Sequence, residues 1–60
     1  MRSGKLVKLK GGNSPTMTVR WMREATMNQQ TVITGVVCEW FDVNFHLQQH
    51  EFKLESLEEV

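Results

Sequence analysis

Thr16-Met17-Thr18-Val19-Arg20-Trp21-Met22 alternates polar and apolar side chains almost residue by residue. A period of two belongs to a half-buried strand, because successive side chains leave opposite faces of the pleat. Met17, Val19 and Trp21 fall on the face expected to meet the core. Thr16, Thr18 and Arg20 fall on the wet face, and Met22 marks the strand end.

Reading outward from this strand, Gly11-Gly12-Asn13-Ser14-Pro15 is the strongest break in the chain and predicts a loop. Before it, Lys5-Leu6-Val7-Lys8-Leu9-Lys10 suits a short strand whose lysines would blunt a sheet edge. After it, Arg23 to Gln30 has no apolar period and reads as a connecting loop. Thr31-Val32-Ile33-Thr34 resumes β-branched composition, and Gly35 either ends that strand or marks a bulge in a longer one. Val36 to Phe41 is a further strand, with Val36, Cys38 and Trp40 on the expected core face and Val37, Glu39 and Phe41 opposite.

Asp42-Val43-Asn44 supplies turn chemistry, although no glycine follows to make a tight two-residue hairpin. Residues Phe45 to Lys53 fit a strand by the alternation of Phe45 and Leu47. They also mimic a helical face through Phe45, Gln48, Gln49 and Phe52. The strand is preferred, since the turn before it joins β-rich runs. Leu54 to Leu57 reads as a single 3-10 or helical turn, and Glu58 to Val60 as a terminal strand or frayed end. Four or five short strands in a single domain of 60 residues predict an all-β fold, a small and strongly bent antiparallel barrel.

Composition narrows the function. A chain of this length buries only about 60% of the surface its unfolded form exposes, so a deep catalytic pocket would consume its core. A binding module is therefore expected, not an enzyme. No apolar run approaches a membrane span, and no charged segment leads into an apolar leader, so a cytoplasmic chain without membrane partner is expected. Residues 1–23 hold Arg2, Lys5, Lys8, Lys10, Arg20 and Arg23 with no acid, a charge of +6. Residues 24–60 hold Lys53 against Glu24, Glu39, Asp42, Glu51, Glu55, Glu58 and Glu59, a charge of −6. Interleaved, the two halves cancel; segregated, they make one basic and one acidic face.

Gly4, Val7, Leu9-Lys10, Gly11-Gly12, Pro15 and Met17-Thr18-Val19, followed by Val37-Cys38, Trp40-Phe41-Asp42, Phe52, Leu54 and Leu57, resemble the YodC family. Its members are small bacterial and phage proteins of uncharacterised function. The likeness covers nearly the whole chain, from Gly4 to Val60, and departs from the family pattern at Lys5, at Asn13-Ser14 and at Val43, where glycine is common. The resemblance implies a small SH3-like barrel. It implies no activity, substrate or cofactor, and fold by itself does not decide function.

No catalytic arrangement emerges from the residues. His46 and His50 stand at i, i+4 but lack the glutamate of a His-Glu-x-x-His helix. On a strand they would lie about 13 Å apart, too far to share a metal. Cys38, alternating with Val36 and Trp40, is expected inside as an inert thiol. One cysteine excludes an internal disulfide and a four-cysteine zinc site. No metal and no cofactor are expected.

Two surfaces remain. Trp40 and Phe41 point to opposite faces, so Trp40 is expected to fill the core while Phe41, with Asp42, offers an exposed contact for a protein partner or a second copy. Packing of Phe41 beneath the 23–31 loop competes with that reading. Lys5, Lys8, Lys10, Arg20 and Arg23 form the second candidate, a basic stripe for single-stranded nucleic acid or RNA, although the balanced charge weakens it.

Overall fold

A computed structural model describes residues 2–60. Five strands make one antiparallel sheet: β1 Leu6–Leu9, β2 Met17–Met27, β3 Gln30–Phe41, β4 Leu47–Phe52 and β5 Leu57–Glu59. Their order across the sheet is β4-β3-β2-β1-β5. A 3-10 turn, Leu54–Ser56, precedes β5, in the place expected for one. No helix of the described residues is long and apolar enough to cross a membrane.

The all-β expectation holds, and residues 47–52 are strand, not helix. The barrel, however, does not close. β4 pairs only with β3, and β5 only with β1, so the sheet keeps two edges. Two things prevent closure. β5 is three residues long, and the outer halves of β2 and β3 pair only with each other. That pairing draws residues 23–35 into a two-stranded arm, which accounts for the molecule's 44 Å length against 22 and 15 Å in its other dimensions. The strands are accordingly not all short: β2 has 11 residues and β3 has 12.

The expected loop at 23–30 is thus mostly strand. Met27 faces Gln30, leaving Asn28-Gln29 as a two-residue turn with φ of +50° and +64°. Positive φ at both central positions matches the right-handed twist of the flanking strands. β1, expected at an edge, lies between β2 and β5, so its lysines do not blunt one.

Val7, Met17, Val19, Val36, Cys38 and Leu57 form the buried cluster, with Leu9, Met22, Ile33, Trp40, Phe52 and Leu54 packed around it. Trp40 lies 6.1 Å from Phe52, ring centre to ring centre. Trp21 departs from the sequence reading: it is 47% exposed. Val19 pairs with Cys38 but Trp21 pairs with Val37, so Arg20 is an extra residue in β2. A bulge of one residue inverts every later side chain. It turns Trp21 out and Met22 in. A second bulge follows, where Arg23 faces Gly35 but Glu24 faces Ile33, making Thr34 the extra residue in β3. Peptide oxygens loosened at these points find hydroxyls: Ser3 Oγ donates to the Arg20 carbonyl at 3.1 Å, and Thr34 Oγ1 to that of Arg23 at 3.4 Å.

Gly35 therefore sits within β3 and does not end it. A Cβ there would land on the Glu51 carboxylate, which reaches across to Arg23.

Gln29 occupies a conformation that costs an L-residue about 1–2 kcal/mol and a glycine almost nothing. After the entropy lost by adding a glycine, Gln29→Gly is expected to stabilise the chain by about 0.5–1 kcal/mol. Thermal unfolding checks this: the midpoint should rise by about 2–8 °C. An unchanged or lower midpoint would contradict the turn assignment.

Candidate functional site

The β3–β4 turn displays the largest group of exposed apolar side chains. Phe41 ends β3 and pairs with Leu47 at the start of β4, and the two are 65% and 56% exposed. Between them Val43 and Phe45 reach 92% and 85%. Phe41 is thus exposed, as expected, and belongs to a wider patch; Trp40, expected to fill the core, is only half-buried at its margin. Phe45 also carries a φ of +60°, an uncommon conformation for a bulky residue.

Asp42 holds this turn. Its Oδ1 accepts hydrogen bonds from the backbone N–H of Asn44 at 2.8 Å and of His46 at 3.0 Å, and its Oδ2 accepts from Gln48 Nε2 at 2.9 Å. Its own N–H donates to the His46 carbonyl, and Phe45 N–H donates to the Asp42 carbonyl, both at 3.0 Å. The bonds from His46 and Gln48, then that from Asn44, favour the charged form and hold the carboxyl below its ordinary value. Asp42 is therefore a scaffold for the aromatic display.

The basic residues do not converge. Lys8 meets Glu58 at 3.5 Å, Arg20 meets Glu39 at 3.0 Å and Arg23 meets Glu51 at 2.7 Å. Each pair joins a cation from the first 23 residues to an acid from the rest, so the two halves interleave. Lys5 and Lys10 flank β1 at its two ends, exposed and without an ion pair among the described residues. Beside the apolar patch, a shallow hollow lined by Thr18, Arg20, Glu39, Phe41 and Leu47 continues onto the outer face of the sheet.

Other chemistry-bearing groups stand apart. Cys38 is fully buried, and burial pushes its thiol up, away from the reactive thiolate. His46 and His50 are exposed, His50 lying edge-on to Phe52 at 4.8 Å. Val43, Phe45 and Leu47 are the members of the patch that the sequence reading passed over. Their signal was an Asp-Val-Asn turn with apolar residues at positions usually polar or glycine.

Because the Asp42 carboxyl is held low, its contribution to the turn is complete above the ordinary carboxylate range and is lost as pH falls through the lowered value. Carboxyl titration followed by NMR should give Asp42 a midpoint below the ordinary aspartate value, with the amide shifts of Asn44 and His46 moving at the same midpoint. In Asp42→Asn those amides should exchange faster with solvent. An Asp42 midpoint at or above the ordinary range would show that the carboxylate does not hold the turn.

No curated protein and no solved structure matches the chain. A family pattern matches residues 2–57, which include both the apolar patch and the core residues. The chain belongs to the family described as uncharacterized small protein (DUF2158).

Proposed function

We propose that this chain is a small non-enzymatic protein-binding module that engages its partner through Phe41, Val43, Phe45 and Leu47. One observation carries the reading. A phenylalanine stands in a left-handed turn conformation, largely exposed, where glycine would be unstrained. Strain of about 1–3 kcal/mol at an exposed apolar side chain works against stability and solubility alike, and such strain clusters at binding sites. The three hydrogen bonds to Asp42 hold the turn rigid, which lowers the ordering cost of binding.

The strand order, with a 3-10 turn before the last strand, is compatible with an open SH3-like barrel of the YodC kind. A single free buried cysteine suits the reducing cytoplasm. The resemblance to a family with bacterial and phage members fits an accessory role. A second reading, binding of single-stranded nucleic acid or RNA, draws on Lys5 and Lys10. It comes second because Lys8, Arg20 and Arg23 are engaged by acids.

Phe45→Gly separates function from folding. Relief of the positive φ is expected to raise the unfolding midpoint, while loss of the ring is expected to abolish partner capture. A pull-down from nuclease-treated and untreated lysate tests both readings. Protein retained by the wild type after nuclease and lost from Phe45→Gly supports the patch. Capture that survives Phe45→Gly, but vanishes with nuclease or with Lys5→Glu and Lys10→Glu, would replace it with the nucleic-acid reading.

A further inference from the structure

We infer that the free edge of β4 is a self-pairing surface, through which two copies join antiparallel about a two-fold axis at Gln49. The surface shares Leu47 with the apolar turn but is carried by the peptide groups of β4 and does not use the Phe45 ring, so Phe45→Gly separates the two proposals.

Half of the peptide groups of β4 have no partner in the sheet, and the hairpin fixes which half. Asp42 N–H bonds the His46 carbonyl and the Asp42 carbonyl accepts from Phe45 N–H, so Asp42 closes the hairpin at a hydrogen-bonded position opposite a bulged Phe45-His46. Pairing then runs without a shift through Trp40 with Gln48, Cys38 with His50 and Val36 with Phe52. Hydrogen-bonded and non-bonded pairs alternate. The peptide groups of Gln48, His50 and Phe52 therefore face β3, and those of Leu47, Gln49 and Glu51 face away from the sheet. Among the described residues no strand lies beyond β4. Residues 47–52 contain no lysine and no proline, their ladder with β3 has no bulge, and their one acid, Glu51, is paired with Arg23, so the edge is lightly protected.

Symmetry then selects the partner and the register. A two-fold axis perpendicular to the sheet keeps each copy's core face on the same side, which allows only pairs of equal parity. With the axis at Gln49, Leu47 faces Glu51 of the second copy, Gln49 faces itself and Glu51 faces Leu47. Every outward N–H and carbonyl of these three residues is then satisfied. Shifting the axis to Gln48 or His50 leaves part of the set unpaired within the strand.

The side chains agree with that register. A residue on the axis meets its own kind, where a charge would be repelled. Gln49 is a neutral amide: one N–H donates to Glu39 Oε2 at 2.9 Å, which leaves its second N–H and its carbonyl oxygen for its counterpart. Glu51 brings no bare charge to the seam, since Arg23 engages it at 2.7 Å, and the chain as a whole has no net charge. On the outer face, Leu47 of one copy would extend the apolar strip that Trp21 and Val37 form beside Glu51 of the other. A seam of this length buries on the order of 1,000 Å² in total, below the roughly 1,600 Å² of a standard interface. The dimer is therefore reversible and concentration-dependent.

Sedimentation equilibrium on the full chain from about 10 µM to about 1 mM tests this. The weight-average mass should climb from one copy toward two. Gln49→Lys and Gln49→Glu each place like charges on the axis and should weaken association by about tenfold or more. An equimolar mixture of the two should restore it, since Lys then faces Glu. Circular dichroism should show both variants folded, since Gln49 is exposed and its one side-chain bond, to Glu39, lies on the surface; Gln49→Glu, which loses that bond, is the variant to check first. Phe45→Gly should dimerise like the wild type. A wild type that stays monomeric throughout, charged variants that associate normally, or a mixture no heavier than its components would overturn the proposal. Loss of the dimer in Phe45→Gly would overturn it too, by assigning association to the turn.

Discussion

β2 and β3 are hydrogen-bonded from Thr18–Glu39 out to Met27–Gln30, and the two extra residues in that ladder, Arg20 and Thr34, decide which side chains the molecule hides. Inside the first bulge, Met17 and Val19 meet Val36 and Cys38 in the core. Beyond it the phase is inverted, so Trp21 leaves the core and lies across from Val37 on the outer face. In a chain this small each buried apolar side chain contributes about 1.5–3 kcal/mol. Surrendering a tryptophan to the surface is a substantial cost, and the bulge makes it unavoidable. Met22 and Ile33 take up the inward places instead.

The same ladder governs the electrostatics. Arg20 and Arg23 reach Glu39 and Glu51 because β2, β3 and β4 lie side by side in this register, and Lys8 reaches Glu58 because β1 pairs with β5. Exposed pairs of this kind add little stability, a median of about 0–1 kcal/mol. Their larger effect is on recognition. A chain whose halves carry opposite charge folds into one without a dominant basic face, which moves the weight of the functional reading from phosphate contacts to the apolar turn. There Asp42 concentrates three hydrogen bonds on one carboxylate and keeps a strained phenylalanine in view.

Much of this was legible in the sequence. Alternation located Met17, Val19, Val36 and Cys38 in the core, glycine and proline located the 11–15 loop, and the strand reading of 45–53 prevailed over its helical rival for residues 47–52, although Phe45 and His46 belong to the turn. Phe41 was legible too, because its neighbour Trp40 had the better claim on the interior. The arm was not. Both faces of residues 23–35 are largely wet, so burial imposes no period on them, and Asn28-Gln29 turns without the glycine that usually announces a hairpin. Trp21 was misplaced for a different reason. A bulge is a property of two strands together, and nothing in Val19-Arg20-Trp21 taken alone reveals that Arg20 is unmatched. The ion pairs are hidden likewise, since Arg23 and Glu51 stand 28 residues apart.

The register of β2 on β3 is therefore the claim most worth direct measurement. Nuclear Overhauser contacts from the Trp21 indole ring read it without perturbing the chain. The bulge at Arg20 predicts contacts with the Val37 methyls and with the Glu51 side chain on the outer face. Contacts from the same ring to Val36, Cys38 or Leu57 would place Trp21 in the core, remove the bulge and contradict the account.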